Sequence, residues 1–235
     1  MKLQRFIGDF NLKSDLVDIL DDDLVNQFRN VFRFDVRDRV VLCDGASNEA
    51  IAEIIKIGKK SVELKVVERS TNKTEAKNYS ILYCAILKKE NFELAVQKAV
   101  EVGVKEIVPV VTDRTVKLNL NFDRLNKIIR EAAEQSGRGS IMKLREPQKF
   151  VSAIGEIPKG RIDLLFDETG EDIFESFKGV SNGETIGGWV GPEGGWTAEE
   201  LLLAKQKGLK AVSLGKTTLR GETAAIVASY LISNI

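Results

Sequence analysis

The sequence predicts an α/β protein in two parts, a small antiparallel β-domain over residues 1–73 and a larger domain over residues 74–235 built on a parallel sheet. Three observations predict it. Strand-like runs separated by turn residues fill the first part, and from residue 80 onward apolar strand runs alternate with helical periods. Between them, residues 68–78 carry Ser, Thr, Asn and Lys with no apolar period and read as a linker. The 235 residues, 43% hydrophobic and 30% charged, are enough to bury a sizeable core.

In the first part the strand runs are Arg39 to Asp44, Ala50 to Ile57 and Ser61 to Val67, divided by Asp44-Gly45 and by Gly58-Lys59-Lys60. The second part opens with a strand from Ser80 to Leu87. A helix follows from Asn91 to Val102, where Phe92, Ala95, Ala99 and Val102 share one face and Gly103 supplies the stop. Glu106 to Val111 is a strand, and the next helix runs from the N-cap Asp123 through Leu125, Ile128, Ile129, Ala132 and Ala133 to Gly137. Further strands are expected at Ile162 to Asp167, Thr185 to Val190 and Ala211 to Leu214, and helices at Glu171 to Phe177, Thr197 to Lys207 and Glu222 to Ile232. Thr197 with Glu200 forms a capping box for the second of these helices, and Gly208 ends it.

Composition excludes several chemistries. Lys and Arg total 35 and Asp and Glu total 35, so any polyanion site must come from local clustering rather than net charge. There is no histidine, which removes Ser-His-Asp and Cys-His nucleophile systems and argues against a metal site. Cys43 and Cys84 each sit in an apolar strand run and read as reduced core thiols. No charged-then-apolar leader opens the chain and no apolar run is long enough to span a bilayer, so the expected location is cytoplasmic.

The segments richest in chemistry are two glycine turns, Gly191-Pro192-Glu193-Gly194-Gly195 and Leu214-Gly215 continuing to Leu219-Arg220-Gly221-Glu222-Thr223-Ala224. Each follows a strand run and precedes a helical one, where backbone N–H groups approach ligands at the carboxyl edge of a parallel sheet. Gly215-Lys216-Thr217 is not a P-loop, because Lys210 stands where that motif needs glycine, and no glycines here fit the dinucleotide fingerprint. What remains suits a flat heterocycle held by backbone groups, although plain tight βα turns read the same way. Glu193 and Glu222 also fit as helix-start carboxylates. Arg220 is unfavourable against the dipole at a helix start, so it points to an anionic or electron-rich ligand.

The run Val190-Gly191-Pro192-Glu193-Gly194-Gly195-Trp196, with Leu214-Gly215 and Leu219 to Ala224, resembles the C-terminal signature of the SPOUT superfamily, and within it the bacterial 16S rRNA (uridine-N3) methyltransferases of the RsmE type. Gln97 to Val104, Ile107-Val108-Pro109 with Arg114, and Glu131 to Arg138 are similar to that family's central motifs, while Val40 to Gly45 and Asn30 to Arg33 match its first domain more loosely. Two positions depart from it: Asn26 to Arg33 lacks the family's usual histidine, and Thr217 stands where it often has arginine.

The resemblance implies a PUA-like β-barrel followed by a SPOUT domain with a trefoil knot, S-adenosyl-L-methionine as cofactor without metal, and a homodimer. It places the cofactor on Val190, Gly191, Pro192, Glu193, Gly194, Gly195, Leu214, Gly215, Leu219, Thr223 and Ala224. Arg220 is the expected charge-stabilising catalytic residue and Glu222 the candidate proton acceptor. Arg5, Arg29, Arg33, Arg114 and Arg138 are the candidate contacts to 16S rRNA or the small ribosomal subunit, and Ala224, Ala225, Ala228 and Leu231 the candidate dimer face. Methylation of another RNA position, such as ribose 2′-O or guanine N1, and a non-catalytic assembly factor are the alternatives.

Overall fold

The computed structural model describes residues 3–116, 119–176 and 183–234, which divide into two compact units. The first comprises residues up to Glu75 together with Ala133–Ile141; the second comprises Ala76–Ala132 and the chain from Met142 onward.

The first unit holds β1 (Arg5–Ile7), β2 (Leu16–Ile19), α1 (Asp22–Asn26), a π-helical turn (Gln27–Val31), β3 (Arg39–Cys43), β4 (Asn48–Ile57) and β5 (Val62–Thr71). They form a five-stranded curled sheet in the order β1-β3-β4-β5-β2, antiparallel except for β1 beside β3. Ala50, Ala52 and Ile54 of β4 and Val62, Leu64 and Val66 of β5 alternate inward and meet Phe6, Phe28, Val40 and Leu42 in one core. The expected linker is partly strand. Glu68 to Thr71 continue β5 opposite Asn48 to Ile51, because hairpin pairing overrides the polar composition of an exposed stretch. β1, β2, α1 and the π-turn were not legible as periods, being three to five residues long.

Residues 133–141 are tied into this unit by polar bonds. Glu134 accepts the Ile7 N–H at 2.9 Å, Asn72 Nδ2 donates to the Gly137 carbonyl at 3.0 Å, and Ser47 N–H donates to the Gly139 carbonyl at 2.8 Å. A Cβ at Gly139 would collide with Asn72, so glycine is required there.

The second unit contains β6 (Tyr79–Ala85), α2 (Lys89–Glu101), β7 (Glu106–Val111), α3 (Phe122–Ser136, whose last turn is counted in the first unit), β8 (Lys143–Leu144), β9 (Gln148–Lys149), α4 (Phe150–Gly155), β10 (Ile162–Asp172), α5 (Ile173–Ser176), β11 (Thr185–Val190), α6 (Ala198–Gln206), β12 (Lys210–Ser213) and α7 (Gly221–Asn234). Its seven strands are all parallel in the order β12-β10-β11-β6-β7-β8, with β9 also on β7. The helix expected from Glu171 to Phe177 is displaced: Glu171 and Asp172 extend β10 past a bulge at which both Phe166 and Glu171 pair with Val212, and only Ile173–Ser176 are helical. Phe177 lies outside the described residues.

Helix α7 packs its small face inward, against β6, β11 and α2. Ala225, Ala228 and Leu231 are buried, and the Ser233 and Ser80 hydroxyls bond at 2.7 Å. This corrects the expected dimer face, since those side chains are spent inside the unit where their small size allows close approach to the sheet. Beneath β11, Asp163 accepts Arg161 Nε at 2.7 Å and Trp189 Nε1 at 2.7 Å, and a Cβ at Gly187 would strike its carboxylate. Cys43 and Cys84 are free and buried, and burial pushes their thiols up to about 11 and about 12.

Candidate active site

The first glycine turn leaves β11 at Val190 and enters α6 through the Thr197 and Glu200 capping box. Gly195 N–H donates to the Pro192 carbonyl at 2.9 Å, and Gly195 takes φ +71°, a conformation that costs glycine little. Bonds from three other segments brace this turn. Trp196 Nε1 donates to the Phe166 carbonyl at 3.0 Å, Glu193 accepts the Lys88 N–H at 3.1 Å, and Arg114 Nη1 donates to the Gly194 carbonyl. Glu200 accepts the Asp113 N–H at 3.1 Å with one oxygen and the Thr197 N–H at 2.8 Å with the other.

The second turn leaves β12. Ser213 Oγ donates to the Gly215 carbonyl at 2.9 Å, Gly215 takes φ +130°, and Thr218 Oγ1 donates to Glu168 at 3.3 Å. Gly221 starts α7 against Leu87, whose Cδ2 would lie 2.9 Å from any added Cβ.

The two turns enclose a cavity of about 810 Å³, inside the range of about 300–1,000 Å³ usual for small-molecule sites. Val190, Gly191, Pro192, Glu193, Gly194, Gly195, Leu214, Gly215, Leu219 and Ala224 line it, as do Arg220 and Glu222. Thr223 does not. It stands exposed on the first turn of α7, one residue round the helix from the positions that face the cavity. Among the described residues the Arg220 side chain has no polar partner, and Glu222 Oε2 is buried without a hydrogen bond. An orphaned buried oxygen costs about 1–3 kcal/mol, so it marks where a ligand donor or cation is wanted.

The candidate RNA arginines separate. Arg114 lines the cavity and braces its floor. Arg5 is paired with Glu49 at 2.6 Å and donates to Cys43 Sγ, while Arg138 is only 3% exposed and paired with Glu75 at 3.0 Å. The Arg5 and Arg138 guanidiniums are therefore engaged within the first unit, while Arg114 is exposed on the cavity. Arg29 and Arg33 are exposed on the first unit. The wall formed by Asp167, Glu168 and Thr169 and the contributions of Lys88 and Asn91 were not apparent in the sequence. Gly170, next to the wall and packed against the Val212 backbone, was the available signal.

Among the described residues no group of His, Cys, Asp and Glu is arranged to hold a metal ion, and no helix is long and apolar enough to cross a membrane.

Residues 74–233 match the RNA methyltransferase domain family and residues 20–67 the RNA methyltransferase PUA domain family. The ribosomal RNA small subunit methyltransferase E of Rickettsia conorii is 33% identical over 97% of this chain and 94% of its own. Its counterpart in Mesomycoplasma hyopneumoniae is 32% identical over 74% and 77%. The Neisseria gonorrhoeae ribosomal RNA small subunit methyltransferase E bound to S-adenosyl methionine matches with a TM-score of 0.89 at 28% identity, covering 98% of this chain and 96% of that one. A Legionella pneumophila methyltransferase with the cofactor bound matches with a TM-score of 0.88 at 25% identity, covering 99% and 97%.

Proposed function

Because this chain belongs to the RNA methyltransferase family, among the ribosomal RNA small subunit methyltransferases E, we propose that it methylates N3 of one uridine in 16S rRNA with S-adenosyl-L-methionine as donor. The observation that carries the reading is that the unpartnered Arg220 and the orphaned Glu222 oxygen line the same cavity as the two glycine turns.

The residues present fit the cofactor. Glycines at 191, 194, 195 and 215 leave backbone groups accessible, and Val190, Leu214, Leu219 and Ala224 supply apolar walls for a flat base. When bound, S-adenosyl-L-methionine supplies a methyl group already activated by a neutral leaving group, so no metal is needed.

The chain's own part is alignment and charge. Uridine N3 carries a weakly acidic imide proton, and its loss spreads negative charge onto the flanking carbonyl oxygens; Arg220 stabilises that charge. Glu222 takes the proton, N3 gains the methyl, and the carbon–sulfur bond breaks to leave S-adenosylhomocysteine. N3 lies on the pairing edge, so the base must be turned out of its stack, and RNA contacts offset that unstacking. In this reading residues 1–73 grip RNA, residues 74–235 carry the chemistry, and the protein works as a cytoplasmic homodimer on the small ribosomal subunit.

The test is primer extension on 16S rRNA incubated with protein and cofactor. An N3 methyl blocks pairing and stops reverse transcriptase one nucleotide short of the site; transcripts copied through unchanged would remove the uridine-N3 assignment.

A further inference from the structure

Residues 27–37 of the first unit take no part in the chemistry above, yet they are built with unusual constraint. Phe32 N–H donates to the Gln27 carbonyl at 2.9 Å and Phe34 N–H to the Phe28 carbonyl at 3.0 Å. These bonds bracket Arg33, which takes φ +55°, and Arg37 takes φ +81° while its N–H donates to the Ile54 carbonyl at 2.8 Å. Left-handed backbone is uncommon for arginine, persists only where the surroundings over-determine it, and clusters at ligand sites.

The same segment fixes an aromatic ring at the surface. Phe32 stacks on Phe34 with centroids 5.5 Å apart and planes 18° from parallel, and sets its edge against buried Phe6 at 5.5 Å. It nevertheless remains 39% exposed, beside exposed Val31 and Val36. Exposed cations flank it along the chain. Among the described residues the Arg33 and Arg37 side chains meet no acceptor, and Arg29 donates to the Lys59 carbonyl at 3.2 Å, which brings the Lys59-Lys60 turn alongside. The neighbouring acids are exposed Asp35, within the segment, and Asp38, just after it; Asp38 accepts the Asp35 N–H at 2.7 Å.

An ordered aromatic ring flanked in sequence by arginines whose side chains meet no acceptor among the described residues is poorly suited to an apolar protein face. It suits an unpaired nucleotide, whose base stacks on the ring while its phosphates meet guanidinium groups. We propose that Phe32 is a stacking platform for an unpaired base of the RNA substrate, with Arg33 and Arg37 holding the flanking phosphates. The proposal rests on the RNA methyltransferase reading above and adds to it a defined contact surface.

The experiment measures anisotropy of a labelled oligouridine of roughly twelve nucleotides, a duplex of equal length and the small ribosomal subunit across a salt series, with calorimetry of S-adenosyl-L-methionine as a control for folding. Phe32→Leu is expected to weaken oligouridine binding roughly tenfold at unchanged salt slope, and Phe32→Trp to preserve it. Arg33→Gln is expected to lower the slope of log K against log salt by about one. Cofactor affinity stays at the wild-type value in all three. Equal oligouridine affinity for wild type and Phe32→Leu overturns the platform while leaving the methyltransferase reading intact. A preference for duplex overturns it too, as does an oligomer that Phe32→Leu dissociates, which would assign the patch to a second copy of the chain. Wild-type protein that binds none of the three RNAs takes down the rRNA reading itself.

Discussion

Arg114 reaches across 80 residues to donate a hydrogen bond to the carbonyl of Gly194, and its side-chain Cδ lies 3.2 Å from where a Cβ on that glycine would stand. The arginine therefore holds the first turn in place, and a side chain at residue 194 would press on it. Arg114→Ala should weaken S-adenosyl-L-methionine binding about tenfold or more, given about 1.5–3 kcal/mol for a hydrogen bond to a charged group. Gly194→Val should abolish it by displacing Arg114. Calorimetry on folded variants decides; wild-type affinity in both would detach the turn from the cofactor.

Arg220 differs from Arg114 in lacking a polar partner among the described residues. Its removal should act on the transition state rather than on the bound cofactor. Arg220→Ala is expected to slow methyl transfer by roughly two to three orders of magnitude and to change cofactor affinity only a few-fold. Single-turnover kinetics with equilibrium binding separate the two, and normal transfer by the variant would end this assignment.

The buried pair of Arg161 and Asp163, 9% and 2% exposed at the side chains, governs stability rather than chemistry. Asp163→Ala strands Arg161 and leaves the Trp189 indole N–H without its acceptor. Loss of one partner from a buried pair typically costs about 3–5 kcal/mol, and denaturant unfolding should register a loss of that size. Gly187→Ala should be similarly damaging, because its methyl would occupy the space of the Asp163 carboxylate.

Acid should loosen the first unit. Burial alone would raise the pKa of Glu49, but the Arg5 and Asn72 hydrogen bonds outweigh it and hold the carboxyl below its ordinary value of 4.5. A depressed carboxylate contributes stability that is full above its unfolded pKa and is lost as pH falls through the folded one. Stability should therefore decline below about pH 4.5, and Glu49→Gln should flatten that part of the curve. An unchanged acid limb in the variant would show that the Arg5 pair is not responsible.

Most of the strand and helix alternation from Ser80 to Ile232 was legible because those elements carry long apolar periods; β8, β9 and α4, two to six residues long, were not, and the helix expected at Glu171 to Phe177 was displaced. The antiparallel run from Arg39 to Val67 was legible because its turns carry glycine. Glu68 to Thr71 were not, since their strand identity comes from pairing with β4 and not from their own polar side chains. The two glycine turns announced the cavity, but its third wall at Asp167 to Thr169 looks like an ordinary polar loop in sequence. Arg5 and Arg138 misled for a physical reason: an arginine paired with a distant glutamate is indistinguishable in sequence from one facing solvent.

The most direct measurement is mass spectrometry of nucleosides from small-subunit rRNA of cells with and without this protein. 3-Methyluridine is expected to be present in the first, absent in the second, and restored by the wild-type chain but not by Arg220→Ala. An unchanged 3-methyluridine content on loss of the protein, or loss of a ribose-methylated nucleoside in its place, would contradict it.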